Sequence, residues 1–142
     1  IFLDAGCEPD FSSENSIVYG HNLKNGQMFG MLKKHYDTEY NPDVDYKKHQ
    51  KIWIITPEEE IEYKVFAARE IDVNEDSDVY TIAFASEEDY ASYLKNSIEK
   101  ALYSLKTKPD SEEDILTLST CTSSSEAGRF IVQATQIQRT AK

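Results

Sequence analysis

The chain has 142 residues, of which 39% are hydrophobic and 29% charged, and its formal net charge at neutral pH is −11. This length suits one hydrophobic core, and the composition is that of a globular protein. The negative charge argues against direct binding to nucleic acid or to anionic membranes, because both depend on cationic side chains. We therefore expect residues 1–142 to form a single domain.

The sequence contains no segment that would cross a membrane, since no apolar run approaches the roughly 20 residues that a spanning helix needs. It has no signal peptide and does not begin with Met. We expect it to be a piece of a longer chain.

Two strands and a helix are predicted near the start of the chain. Residues 1–4 and Ser16–His21 read as short extended segments, joined by a loop rich in Gly, Pro, Asp and Ser. Gln27–Tyr36 carries apolar residues at helical spacing and predicts a helix. His35 and His49 each follow two lysines, and we expect both on the solvated surface.

The middle of the chain predicts further extended structure. Lys51–Thr56 and Ile61–Ile71 are rich in β-branched and aromatic residues and predict two strands. An acidic turn at Asp72–Asp78 follows, and Val79–Phe84 predicts another short extended run.

A long helix is predicted after residue 85, with a clear start and end. Ser86 followed by Asp89 resembles a capping box, with Asp in place of the usual Glu or Gln. Apolar residues then recur every three or four positions. The pattern predicts an end near Lys106–Lys108, where lysines suit the helix C-terminus and Pro109 breaks the helix.

A hairpin is predicted between Ile115 and Gln138. Ile115–Cys121 alternates between two faces, and the alternation resumes at Arg129 after a Ser-rich turn that ends in Gly128. If the hairpin closes symmetrically over residues 122–128, Cys121 lies directly across from Arg129. Opposed residues in an antiparallel pair share a face, with their Cβ atoms roughly 4.5–5.5 Å apart.

A thiol beside a guanidinium is suited to acyl transfer. A nearby cation favours the nucleophilic thiolate, and an Arg, which stays protonated, can donate hydrogen bonds to a developing oxyanion. Such a site also needs a proton donor for the leaving amine, most often His. The chain offers His21, His35 and His49. The alternative is that Cys121 is a small buried residue and that Arg129 faces solvent.

The residues themselves favour the catalytic alternative. The segment Leu118-Ser119-Thr120-Cys121, followed by Arg129, resembles the LxTC strand and later Arg of sortases, the cysteine transpeptidases of the Gram-positive cell wall. The segment from Ile17 to Asn22, IVYGHN, is similar to the strand that ends in the sortase catalytic His. The helix after residue 85 resembles the one that class B sortases have before the Cys strand.

This resemblance implies a mainly β fold, the sortase-type β-barrel with peripheral helices, over essentially the whole chain. Residues 1–4 would be its third strand, so that the first two barrel strands and the N-terminal helices would be missing. The catalytic residues would be His21, Cys121 and Arg129. Ser119 is the best further candidate for substrate binding. Tyr93 and Leu94 are weaker candidates, because the alternative for both is a place in the helix core.

The resemblance also implies the reaction and its partners. Cys121 would cleave a C-terminal sorting motif, NPxTN-like or an xPxTG variant, after Thr through a thioacyl enzyme. The acyl group would pass to an amine of a peptidoglycan precursor or, less plausibly, of a pilin subunit. The enzyme would act at the extracellular face of the Gram-positive membrane, held by an N-terminal anchor. No metal or other cofactor is expected. Cys7 and Cys121 are expected to be free thiols, since a bridge between them would block the nucleophile.

Two alternatives to the transpeptidase remain open on the sequence. A hydrolytic cysteine peptidase would use the same three residues and pass the acyl group to water. A non-catalytic surface module would keep Cys121 as an inert structural thiol. Transfer of the acyl group to an added amine distinguishes the transpeptidase from the peptidase. An unreactive Cys121 thiol in the wild-type protein, together with an intact fold in Cys121→Ala, indicates the surface module.

Overall fold

The computed structural model describes residues 1–21, 29, 32–39, 41–121 and 126–142, and of Cys121 it describes the backbone alone. These ranges contain six strands in one sheet, namely β1 (Phe2–Leu3), β2 (Asn15–Gly20), β3 (Lys51–Ile55), β4 (Glu59–Asp72), β5 (Ile115–Cys121) and β6 (Gly128–Ala141). They also contain the helices α1 (Leu32–Tyr36) and α2 (Glu87–Lys100), and 3-10 helices at Tyr46–His49 and Ser77–Tyr80. The predicted mainly β fold with peripheral helices is confirmed.

The order of strands across the sheet is β1-β2-β5-β6-β4-β3. All neighbours are antiparallel except β2 and β5, which are parallel. The hairpin of β5 and β6 has the predicted register, in which Ile115 pairs with Thr135 and Cys121 pairs with Arg129. Strands β2, β5 and β6 are therefore consecutive neighbours, and their ends lie side by side.

Both faces of the hairpin are buried. Leu116, Leu118 and the β6 residues opposite them belong to the larger hydrophobic cluster on one face. On the other face Ile115 packs with Tyr90 and Leu94 of α2. The alternation in the sequence thus predicted which residues share a face, and the helix that covers the second face lies between β4 and β5 in the chain.

Helix α2 begins as predicted and ends earlier than predicted. The Ser86 hydroxyl accepts a hydrogen bond from the Asp89 backbone N–H at 3.1 Å, as in a capping box. The predicted end at residues 106–108 is wrong, because the helix stops at Lys100. Beyond it the Leu102 N–H donates to the carbonyl of Ala68 on β4, at 2.9 Å. None of the helices in the described ranges is long and apolar enough to cross a membrane.

The extended run predicted at Val79–Phe84 is not a strand. A 3-10 helix occupies Ser77–Tyr80, and an irregular segment follows it. Val79 is buried against Ile71 and Ile131, and the backbone carbonyls of Val79 and Thr81 accept hydrogen bonds from a side chain rather than from a neighbouring strand. Tertiary contacts therefore decide the conformation of this segment.

The first predicted helix is described only from Leu32 onward, and Gln27 and Met28 lie outside the described residues. His35 and His49 are not simply solvated. Their rings are 4.0 Å apart between centroids, and both are half-buried. Burial lowers the pKa of His35, and the neighbouring His49 and Lys34 lower it further. The pair joins α1 to the first 3-10 helix.

Candidate active site

Three strand ends bring the predicted catalytic residues together. Gly20, the last residue of β2, pairs with Thr120 of β5, and His21 and Cys121 are the residues that follow this pair. On the other side of β5, Cys121 pairs with Arg129 of β6. Paired residues of an antiparallel ladder share a face of the sheet. The backbone therefore places a histidine, a cysteine and an arginine at adjacent positions along one end of the sheet.

A pocket of about 240 Å³ opens at this end of the sheet. Its lining residues come from β1, β2, β5 and β6 and are Phe2, Tyr19, Gly20, His21, Ser119, Thr120 and Arg129. Three of the residues proposed from the sequence, His21, Ser119 and Arg129, are among them. The side chain of Cys121 lies outside the described atoms, but its backbone directly follows Thr120 at the pocket wall.

The position of His21 depends on its glycine neighbour. A Cβ atom on Gly20 would lie 2.5 Å from the ring of Phe29, so any larger residue would displace that ring. The Phe29 N–H donates to the carbonyl of His21 at 3.0 Å and holds residue 29 beside the strand end. His21 itself is exposed. Its ring is thus accessible to solvent and to a bound substrate.

Arg129 is held by the hairpin turn. Its Nη1 donates to the backbone carbonyls of Glu126 and Gly128, at 2.8 and 2.7 Å. These two bonds use one of the three guanidinium nitrogens. The charge of the guanidinium is thereby fixed beside position 121, and its other N–H groups can donate to an oxyanion.

Ser119 and Tyr19 line one wall of the pocket, and Tyr80 of the 3-10 helix at residues 77–80 contacts both of them. The hydroxyls of Tyr80 and Ser119 are 2.7 Å apart, and the rings of Tyr80 and Tyr19 are stacked at 5.9 Å between centroids. The Tyr19 hydroxyl donates to the Asp4 carboxylate at 2.8 Å. Burial and this carboxylate raise the pKa of Tyr19, so that its hydroxyl stays protonated. Tyr80 is a pocket neighbour that sequence reasoning missed, because its contact with Ser119 spans 39 residues of the chain.

Tyr93 and Leu94, the weaker substrate-binding candidates, do not line this pocket. Leu94 is buried between α2 and the sheet. The Tyr93 hydroxyl donates to the Val79 carbonyl at 2.6 Å and accepts from Gln133 at 2.8 Å. Burial raises the pKa of Tyr93 to about 12, which keeps this hydroxyl a neutral donor. The structure therefore places Leu94 in the interior and the partly buried Tyr93 in hydrogen bonds behind the pocket wall.

A buried polar network lies behind that wall and holds the segment around Tyr80 in place. Asn15, which is fully buried, donates to the carbonyl of Thr81 at 2.9 Å and accepts from the Thr117 hydroxyl at 2.8 Å. Gln133, 1% exposed, donates to the hydroxyls of Thr117 and Tyr93. The network connects β2, β5, β6 and α2 to the segment that carries Tyr80.

Loss of the Asn15 amide should destabilise the fold. In Asn15→Ala the Thr81 carbonyl and the Thr117 hydroxyl lose buried partners, and a small cavity forms. We expect the free energy of unfolding to fall by about 2–4 kcal/mol, because each unpaired buried polar group costs roughly 1–3 kcal/mol. Urea denaturation measures the loss. The same substitution at exposed Asn74 is the control, and equal small losses in both variants would contradict the structural role of the network.

The second thiol of the chain, that of Cys7, does not line this pocket. Cys7 is 8% exposed and free, as predicted, and its sulfur accepts from the Ile17 N–H at 3.4 Å. Burial raises the pKa of Cys7, and the nearby Asp4 carboxylate raises it further. Cys7 is therefore a protonated, poorly nucleophilic thiol.

In the ranges that the structure describes, no group of three or more His, Cys, Asp or Glu side chains is arranged to hold a metal ion. The residues whose backbones meet at this end of the sheet carry a thiol, an imidazole and a guanidinium. These are the groups that a covalent acyl transfer needs as nucleophile, proton donor and oxyanion stabiliser.

The fold agrees with what known proteins show. The chain belongs to the sortase family, whose domain model matches residues 3–137. Its relatives place it in class B. It is 30% identical to sortase B of Listeria monocytogenes over 140 residues, which cover 94% of this chain and 52% of that protein.

Solved structures show the same likeness. A Bacillus anthracis protein described as similar to sortase B is 33% identical, with a TM-score of 0.78 over 100% of this chain and 60% of that one. A Staphylococcus aureus sortase B–substrate complex is 26% identical, with a TM-score of 0.82 over 97% of this chain and 62% of that one. The resemblance to class B sortases and the sortase-type fold are thus confirmed. The chain spans about half the length of the curated relatives that it matches.

Proposed function

We propose that residues 1–142 belong to the single catalytic domain of a cysteine transpeptidase that joins proteins to the cell wall. The observation that carries this proposal is the strand register, which puts His21, Cys121 and Arg129 at neighbouring strand ends around one pocket. Membership of the sortase family supports it.

The reaction assigned to this site has two acyl-transfer steps. The Cys121 thiolate attacks the carbonyl carbon of the Thr in a sorting motif, and the C–N bond after that Thr breaks. His21 donates a proton to the departing amine, which leaves a thioacyl enzyme. In the second step an incoming amine attacks the thioester, His21 takes its proton, and the Cys121 thiolate is released. Arg129 stabilises the oxyanion in both steps.

The substrate is a peptide segment near the C-terminus of a surface protein, with an NPxTN-like or xPxTG sequence. Support comes from the substrate complex of the Staphylococcus aureus sortase B. Ser119, at the pocket wall beside Tyr80, is the residue we assign to peptide binding. The acceptor is an amine of a peptidoglycan precursor. An enzyme that uses this acceptor would act at the extracellular face of a Gram-positive membrane, and we infer that an N-terminal anchor holds it there.

The competing function is hydrolysis at the same three residues. The two activities differ only in the acceptor of the thioester, so the experiment compares acceptors. The whole protein is incubated with an NPxTN-type or LPxTG-type peptide, with and without triglycine, and the products are separated by mass. We expect a peptide–triglycine product that grows with triglycine concentration at the expense of hydrolysed peptide. Hydrolysed peptide alone at every triglycine concentration would contradict transpeptidation and leave a peptidase.

A further inference from the structure

A second pocket, of about 560 Å³, lies far from the catalytic residues and is lined by four lysines. Its lining residues are Lys47, Gln50, Lys64, Ser104, Leu105, Lys106 and Lys108. Lys64 is seven residues before Ile71, the partner of Arg129 on β4, and seven residues of strand span roughly 23 Å. The pocket is therefore a separate site.

The walls of this pocket are held by the core. Leu105 is buried in the larger hydrophobic cluster and anchors the segment that carries Ser104, Lys106 and Lys108. The rings of Tyr46 and Tyr103 stack at 3.7 Å between centroids and join that segment to the 3-10 helix of Lys47. The backbone segments that carry these lysines are therefore held by the core before any ligand binds.

The strand that carries Lys64 is hydrogen-bonded to the segment that carries Lys47 and Gln50. The Val65 N–H donates to the carbonyl of Gln50 at 2.7 Å, and the Gln50 amide donates to the carbonyl of Lys47 at 3.0 Å. Lys64 of β4 is thereby held beside the end of the 3-10 helix. Three chain segments, distant in sequence, meet at one cationic concavity.

The four lysines have no partner that neutralises them. In the described part of the chain none of them forms an ion pair, and no carboxylate lines the pocket. Residues 22–28, 30–31, 40 and 122–125, outside that part, include no Asp or Glu. Nearby carboxylates pair with other lysines, as Asp45 does with Lys48 and Glu62 with Lys51. Four like charges in one concavity repel each other, and a bound anion would relieve that repulsion.

We propose that this pocket binds a compact anion with two or more phosphate charges. Lysines act as point charges toward phosphate, and Ser104 and Gln50 add polar groups that can bond phosphate oxygens. No aromatic side chain lines the pocket in the described ranges, which disfavours a base that would need stacking. The volume lies within the range of small-ligand sites. The phosphate can belong to a free inorganic ion or to a membrane lipid.

The test uses inorganic pyrophosphate and the whole protein, with binding followed by calorimetry at physiological ionic strength. The double variant Lys64→Gln/Lys106→Gln removes two pocket charges, and Lys95→Gln/Lys100→Gln removes two exposed charges on α2 as a matched control. We expect saturable 1:1 binding, weakened about 10-fold or more in the pocket variant and within roughly 2-fold of wild type in the control. If the double variant unfolds, pyrophosphate binding is measured on the single variant Lys47→Gln, in which the replaced side chain is exposed.

A second experiment distinguishes a lipid phosphate from a free phosphate. It measures co-sedimentation of the protein with phosphatidylcholine vesicles that do or do not contain phosphatidic acid. Pyrophosphate binding that depends on the pocket lysines supports a free phosphate ligand, and vesicle binding that depends on them supports a lipid headgroup. Equal weakening in the pocket and control variants, or no saturable binding in either arm, overturns the proposal. Because no arm measures peptide cleavage, failure here leaves the proposed transpeptidase function untouched.

Discussion

Replacing Cys121 with Ala should abolish peptide cleavage, with kcat/KM at least ~10³-fold below wild type, because no other group of the site can form the acyl bond. In the proposed mechanism His21 transfers protons and Arg129 stabilises charge, and neither replaces a missing nucleophile. Steady-state cleavage of a sorting-motif peptide by the whole protein measures the effect. The melting temperature of the variant should stay close to that of wild type, because the substitution removes only one sulfur atom at a strand end.

Cys7→Ala is the matched control for this prediction. It removes the same atom from a buried position outside the pocket, where the thiol is protonated and accepts the Ile17 N–H. We expect Cys7→Ala to keep kcat/KM within about 2-fold and to lose some stability, on the order of 1 kcal/mol, through packing and the lost acceptor. Equal losses of activity in the two variants would show that sulfur at position 121 has no special role.

Replacing Arg129 should have the next largest effect. In Arg129→Met the oxyanion loses its cationic donor, and we expect kcat/KM to fall by about 10²–10³-fold. Arg129→Lys should recover little of this loss. One ammonium has three N–H bonds, and two of them would be needed for the carbonyls of Glu126 and Gly128 that the guanidinium now binds.

The control for Arg129 is Arg139→Lys on the same strand. Arg139 pairs with Glu59 at 2.5 Å, ten residues away from the pocket. This variant should keep its activity and lose only stability. A kcat/KM that is unchanged in Arg129→Met, with peptide binding and melting temperature also unchanged, would contradict the assigned role of Arg129 in the reaction.

The hairpin that carries the site could be predicted because its information is local. The alternation of Ile115–Cys121, the Ser-rich turn and Gly128 fix a register in which Cys121 meets Arg129, and the structure has that register. The start of α2 could be predicted for the same reason, because the Ser86 hydroxyl that caps the helix bonds to a residue only three positions later. In both cases the residues that determine the structure are adjacent in sequence.

The features that the sequence did not predict depend on distant contacts. Helix α2 ends at Lys100 because Leu102 bonds to β4, and the segment around Tyr80 is irregular because Asn15 and Tyr93 satisfy its carbonyls. Periodicity carries no information about such pairings.

The most direct test of the catalytic role of Cys121 is the intact mass of the whole protein after incubation with an NPxTN-type or LPxTG-type peptide. We expect a mass increase equal to the acyl part of one peptide, located on Cys121 by peptide mapping and removed by hydroxylamine. The absence of an adduct with every peptide, together with a Cys121 that resists alkylation in the folded protein, would contradict the catalytic role and leave a structural surface module.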